Sequence, residues 1–184
     1  MKQVWFFLVT LLVFLLTVQP THLQAQTGSE KNYVVKINPI ELEGHWFLVS
    51  TNLHPWKSPK KTNIRFDFSV NGDSISETIA LLKSGKPVQT RLQVKVKGSA
   101  FFSEKTVSGK RLSKRNWYVV AMDEHKRWMV IYVRGKFLRK DAIQVISRDA
   151  QIPEDAKVRI RKLFEENYFL KAKTEGMRIS IQRP

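Results

Sequence analysis

Two seven-residue stretches constrain the fold more than any other part of the chain. In Ile64-Arg65-Phe66-Asp67-Phe68-Ser69-Val70 the apolar residues hold the even positions and the polar ones the odd. The same split recurs in Arg91-Leu92-Gln93-Val94-Lys95-Val96-Lys97, with basic residues along the polar face. Strict period-two alternation is the pattern of a strand with one face on a core and the other in water. Asn71-Gly72-Asp73 follows the first stretch as a hairpin signal, and Ser84-Gly85-Lys86-Pro87 and Ser108-Gly109-Lys110 punctuate the chain in the same way. From Ile40 onward the chain reads as an antiparallel β protein.

The later strands have a different pattern. Trp117-Tyr118-Val119-Val120-Ala121-Met122 and Trp128-Met129-Val130-Ile131-Tyr132-Val133 are apolar on both faces, so something must cover their outer side. The segment from Pro153 to Phe169 is the candidate. Pro153 suits a first helical turn, Glu154 and Asp155 suit the positive end of the helix dipole, and Ala156, Ile160, Leu163, Phe164 and Asn167/Tyr168 fall at helical spacing. Met177 to Gln182 reads as one further short strand. Strands of this number are best closed into a barrel, which removes exposed edges. The expected fold is therefore all-β: an eight-stranded antiparallel up-and-down barrel with one C-terminal α-helix packed outside and a short final strand.

The start of the chain has another logic. Lys2 precedes a nearly unbroken apolar run from Val4 to Val18, Pro20 breaks it, and Leu23-Gln24-Ala25 places a small residue at a cleavage position. That is the layout of a secretory signal peptide, and the run is shorter than the ~20 residues a membrane-spanning helix needs. The expected organisation is a signal peptide over 1–25, a polar leader over 26–39 and one domain over 40–184. There are no cysteines, so neither a disulfide framework nor a lipid-bearing cysteine is available. The expectation is a soluble exported protein, periplasmic or secreted. The 32 Lys and Arg against 16 Asp and Glu give a net charge of +16, either a field that favours anionic membranes and polyanions or a well-solvated surface.

Three short signatures stand in fixed order: Gly44-His45-Trp46 at the first strand, Asn116 to Asp123 as a late strand and the turn after it, and Val145-Ile146-Ser147-Arg148 before the helix. Gly44 permits a sharp entry into the strand, and Trp46 is large enough to plug a barrel end. Together they resemble the signatures of lipocalins, small barrels that hold an apolar ligand. Asn116 to Asp123, followed by Ile152-Pro153-Glu154-Asp155, is similar to the bacterial lipocalin and apolipoprotein D-like subgroup. The resemblance covers roughly Glu41 to Gln182 and implies that Arg148 crosses over Trp46 and bonds nearby carbonyls, the alternative being a plain surface charge. It departs from the subgroup at Lys126, where an aromatic residue usually follows the Asp.

With Trp46 inward, Leu48 and Ser50 share its face. Phe66 and Phe68 are expected in the lumen from the second strand. Glu77 lies among Ile75, Ile79 and Leu81, either as an anchor for a ligand head group or as a carboxylate at the mouth. Trp117 and Tyr132 are further lumen candidates, although strands apolar on both faces leave their facing open. No metal-ligand spacing surrounds His45, His54 or His125, and no phosphate loop or nucleophile motif appears. The expected protein is not an enzyme and needs no cofactor or metal. The resemblance implies a carrier of a small hydrophobic ligand: a fatty acid, lysophospholipid or other membrane lipid. The alternative is a basic module with a filled barrel that binds a polyanion or a membrane surface, and a weaker third reading is a lipocalin-fold enzyme. The outward row Arg91, Lys95 and Lys97 is the best basic patch. Lys60, Lys61, Lys110, Arg111, Lys114, Arg115, Arg134, Lys136, Arg139 and Lys140 are further basic positions, and no specific nucleic acid is expected as a partner.

Overall fold

The computed structural model describes residues 33–108, 110–135 and 140–174. Eight strands carry the fold: β1 (Gly44–Thr51), β2 (Lys61–Asn71), β3 (Ser74–Lys83), β4 (Lys86–Lys97), β5 (Ala100–Val107), β6 (Lys110–Met122), β7 (Trp128–Arg134) and β8 (Ala142–Ser147). Each pairs antiparallel with the next, and β8 pairs with β1, so the sheet is a closed up-and-down barrel. Closure leaves no unpaired sheet edge. The β3–β4 hairpin shows how local chemistry sets the register. Lys83 stands opposite Lys86, so Ser84 and Gly85 alone make the turn, both at positive φ (52° and 77°). That mirror-image turn matches the twist of the strands it joins.

Apolar side chains form two layers. The inner layer fills the barrel with Trp46, Leu48, Ile64, Phe66, Phe68, Ile75, Val94, Phe101, Trp117, Val119, Met129 and Ile131, among others. The outer layer covers one side only. It joins Val49, Val120, Trp128, Val130, Tyr132, Ile143 and Val145 to Ile152, Ala156, Ile160, Phe164 and Leu170. The strands apolar on both faces therefore form the wall beneath the helices.

The helical cover is two helices rather than one. α1 (Glu154–Glu166) ends where Asn167 turns extended, with φ −89° and ψ 106°. The Asn167 side chain then accepts the Leu170 N–H at 3.0 Å and caps α2 (Tyr168–Thr174). The break moves the apolar stripe: Leu170 is buried and Tyr168 is 69% exposed. Phe169 stacks on Tyr33 at 5.3 Å between ring centroids.

The end of α2 is fastened to the barrel rim. The Asn52 side chain donates to the Lys173 carbonyl at 2.6 Å and accepts the Ile143 N–H at 2.7 Å. Lys173 Nζ reaches Asp141 at 2.5 Å. Burial raises the Asp141 carboxyl, but bonds from Lys173, the Gly135 N–H and Tyr132, with the Lys173 charge, outweigh it and hold the group below its ordinary value.

The expected leader joins the domain earlier than its polar composition suggests. The Val35 N–H donates to the Val119 carbonyl at 2.8 Å, and Ile37 packs on the inner layer. The signal-peptide residues 1–25 and the strand expected over Met177 to Gln182 lie outside the described residues. Among the described residues no helix is long and apolar enough to cross a membrane.

Candidate functional site

The two barrel ends are built differently. At one end a 3₁₀ turn (Pro39–Leu42) lies across the opening. Asn38 and Glu41 cap it reciprocally, each side chain accepting a backbone N–H of the other's end. Trp46 follows, fully buried, and its Nε1 donates to the Leu42 carbonyl at 2.7 Å. Arg148 lies over the indole with its guanidinium carbon 3.8 Å from the ring centroid. Its Nη1 donates to the Glu43 and His45 carbonyls at 2.6 and 3.2 Å, and its Nη2 to the Glu41 carbonyl at 3.1 Å. Gly44 makes room for that guanidinium: at φ +96°, a Cβ there would stand 3.0 Å from Arg148 Nη1.

Charges lock the same end to the helices. Asp123, after β6, accepts from Arg127 at 3.0 Å and pairs with Arg159 of α1 at 3.4 Å. Burial pushes its carboxyl up, but the two arginines outweigh that and hold it below the ordinary value. Lys126 adopts φ +57° and its Nζ meets Glu41 at 2.8 Å. That bond lowers the Glu41 carboxyl. At the position where the subgroup pattern has an aromatic residue, this chain thus places an ion pair across the closed end.

The other end is the mouth. The connection between β1 and β2 contains a short 3₁₀ turn (His54–Trp56), and its Leu53 and Trp56 pack on the inner layer. Trp56 lies 5.6 Å from Phe66, centroid to centroid. Ile79 and Leu81 of β3 join the same layer on this side of the lumen.

At mid-depth the apolar lining is interrupted by a polar cluster. Glu77 is fully buried and accepts from Ser103 Oγ at 2.5 Å. The Arg115 guanidinium donates to its other oxygen through Nη2. Ser103 in turn accepts the indole N–H of Trp117 at 2.8 Å. The Arg115 guanidinium carbon sits 5.8 Å from the Phe66 ring and 6.0 Å from the Trp117 ring. Trp117 stacks on Phe101 at 4.3 Å and tilts against Phe68 at 5.9 Å.

The sequence-derived lumen positions divide accordingly. Leu48, Phe66, Phe68 and Trp117 line the inner layer, and Glu77 lies among them at mid-depth rather than at the mouth. Tyr132 is corrected: it belongs to the outer layer, where it meets the edge of Phe169 at 5.1 Å. On β7 the inward residues are Met129, Ile131 and Val133, so even numbers face the helices. Ser50 is corrected too. A bulge between Leu48 and Ser50 shifts the register, and Ser50 stands opposite the outer-layer Val145, while Leu48 stands opposite the inner-layer Ile146. Arg115, read from sequence as a surface base, turns inward. Its parity with Trp117 on β6 was the available signal, hidden by the polar run Ser113-Lys114-Arg115.

A concavity of about 520 Å³ lies against the barrel wall outside the lumen, lined by Phe47, Asn63, Arg65, Ala80, Leu81, Leu82, Pro87, Val88, Gln89, Ala150 and Gln151. It lacks a converging polar cluster like that of the lumen. Among the described residues no group of His, Asp and Glu is arranged to hold a metal ion.

No family model matches the chain, and no curated protein matches it in sequence. Solved structures do. Insecticyanin from the tobacco hornworm Manduca sexta is similar over 76% of this chain and 79% of its own, with a TM-score of 0.65 and 10% identity. The siderocalin Ex-FABP is similar over 68% and 82%, with a TM-score of 0.52 and 20% identity. The odorant binding protein OBP1 is similar over 72% and 87%, with a TM-score of 0.53 and 12% identity. At these identities the likeness concerns architecture, and the architecture of this chain is the lipocalin fold.

Proposed function

We propose that this protein carries a small hydrophobic molecule in its barrel, a fatty acid, lysophospholipid or other membrane lipid, and that it does so after export. The observation that carries this reading is the contrast along the barrel axis: one end is sealed by Trp46 and Arg148, and apolar walls lead from the mouth to a buried polar cluster at mid-depth. An enclosed apolar lining with a few convergent polar groups is the usual make-up of a small-molecule site. Two of the similar structures point the same way by their descriptions, one as an odorant binding protein and one as a siderocalin with dual ligand specificities. Burial of an acyl chain contributes about 0.8 kcal/mol per methylene before ordering costs, enough for binding without chemistry. The residues Asn116 to Asp123 and Ile152-Pro153 support placement near the bacterial and apolipoprotein D-like lipocalins. The apolar run of Val4 to Val18 and the absent cysteine support export in a soluble form.

Native mass spectrometry of protein purified gently from cells, followed by solvent extraction, tests the proposal. The expected result is about one bound lipid per chain, lost when Phe66 or Phe68 is replaced by a charged residue in a variant that still folds. An empty protein that also refuses fatty acids and lysolipids would overturn it.

A second reading rests on the helix-free side of the barrel. Arg91, Lys95 and Lys97 alternate outward along β4, opposite the inward Leu92 and Val94. Such a row favours an anionic membrane surface, by roughly 1 kcal/mol per well-placed base. Co-sedimentation with anionic vesicles that weakens steeply with salt, and is lost when all three are replaced by Gln, supports a delivery role at membranes. Vesicle binding indifferent to salt would exclude it.

A further inference from the structure

The polar cluster of the lumen is not balanced. Among the described residues the inward-facing ionisable groups of its central section are Glu77, Arg115 and Lys105. Lys105 follows Phe101 and Ser103 on the inward parity of β5 and stands opposite Ser113. By strand parity two cations share the inner face with one carboxylate, and that carboxylate is already satisfied by Ser103 and Arg115. The unsatisfied groups are of one kind as well. Arg115 Nε is buried without a partner. Gln144 Nε2 is also buried without a partner, on the inward parity of β8 between Ala142 and Ile146. Both are nitrogen donors. A buried donor without an acceptor carries a desolvation cost that an incoming acceptor removes.

We propose that Arg115 is the head-group site of the lumen. It takes the anionic oxygen head of a single-chain amphiphile, a carboxylate or a phosphate monoester, and the tail points toward the mouth. The inference rests on the carrier reading and names its ligand class. The orphaned Nε–H is available to an oxygen acceptor while Nη2 keeps Glu77, so the incoming anion need not displace the resident carboxylate. Lys105 lies one inward position nearer the mouth and supplies the second positive charge. The tail direction follows from packing. On the closed-end side of Arg115, the stacked Phe101 and Trp117 with Phe68 fill the section. On the mouth side Ile79, Leu81, Leu53 and Trp56 offer apolar surface. A cationic ammonium head at this depth has no acceptor for the donors and would face a net positive site, and a neutral hydroxyl head would accept a hydrogen bond without the charge.

The test is displacement of the neutral fluorophore N-phenyl-1-naphthylamine from delipidated protein by ligands of one chain length: hexadecanoic acid, hexadecyl phosphate, hexadecanol and hexadecylamine. The expected order places the acid, the phosphate or both at least about tenfold ahead of the alcohol, with the amine last. The two anionic arms report which head the site prefers. Because Arg115→Gln alone strands Glu77, the decisive variants are Glu77→Gln and the double Glu77→Gln/Arg115→Gln. The single variant removes the competing anion and tightens acid or phosphate binding, with the alcohol unchanged. The double variant, which keeps Lys105 but removes the orphaned donor, cuts the preference for anion over alcohol severalfold. An anion preference undiminished in the double variant, or an alcohol that binds the parent protein as well as both anions, overturns the inference while leaving the carrier intact. Failure of the fluorophore and all four competitors to bind overturns the carrier reading itself.

Discussion

Two arginines of this barrel each stand beside a tryptophan, and their surroundings differ. Arg148 lies 3.8 Å over Trp46 and spends two nitrogens on three backbone carbonyls that no rotamer change can remove. Arg115 stands 6.0 Å from Trp117, shares a buried carboxylate, and keeps its Nε unpaired. The first arrangement is complete and holds a barrel end shut. The second is satisfied only in part, and a half-satisfied polar group inside a fold is costly unless something else completes it. Similar side chains thus serve as a clasp at one level and as an open position at another, and what separates them is whether the acceptors belong to the backbone.

The comparison breaks most visibly at Arg115. Replacement by Leu should cost about 3–5 kcal/mol by leaving Glu77 buried in the lumen without its ion-pair partner. Replacing both Glu77 and Arg115 by Leu should restore most of that stability in urea denaturation. If the single variant is as stable as the parent, the buried pair is not formed in solution. Arg148→Leu should cost roughly 3 kcal/mol through the lost carbonyl bonds and indole contact. No second substitution should rescue it, because its acceptors are main chain; near-ultraviolet circular dichroism of Trp46 would report the loosened end. Gly44→Ala should cost about 1–3 kcal/mol, from a side chain at φ +96° that also crowds Arg148. An Arg148→Leu background should absorb part of that cost, and additive effects would separate the two residues.

The smallest effect is one of pH. Glu41 and Asp123 both titrate below their ordinary values of 4.5 and 3.8 in the folded protein. A carboxyl whose folded pKa is depressed adds stability that is present above its unfolded pKa and lost as pH falls through the folded one. The closed end should therefore weaken progressively below about pH 4.5. Lys126→Ala should make the acid limb of the stability curve shallower, since the Lys126 bond is the first cause of the Glu41 shift. A limb unchanged by that substitution would show that the ion pair across the closed end contributes nothing.

Much of the fold was legible because alternation is local. The even parity of Phe66 and Phe68 put both inward, and the turn residues Ser84 and Gly85 set a two-residue hairpin. Parity fails where both faces are apolar. Nothing in Trp128 to Val133 says which side meets the helices, so Tyr132 could not be assigned until its packing on Phe169 was visible. It fails again at a bulge, which is why Ser50 left the face of Leu48. The helix break had a cue in Asn167, a residue that caps well and continues a helix poorly, yet the apolar spacing continued past it and carried the stronger signal. The lumen cluster was half legible. Glu77 was conspicuous as an acid among apolar neighbours, whereas Ser103 and Arg115 sit on other strands, and only the closure of the sheet brings them to it.

The fastening of α2 to Asn52 and Asp141 has a mechanical consequence. It rivets the rim where β1 and β8 meet, so splaying the barrel there would require peeling a helix from the wall as well as parting strands. Among the described residues no helix packs on the β3–β4 hairpin, which is closed by two residues and tied to the β1–β2 connection by the Ser84 N–H donating to the Lys60 carbonyl at 2.7 Å. Entry of a wide guest past the α2 flank would thus have to break side-chain bonds to a helix, whereas past the β3–β4 flank it would meet only strand and loop contacts among the described residues.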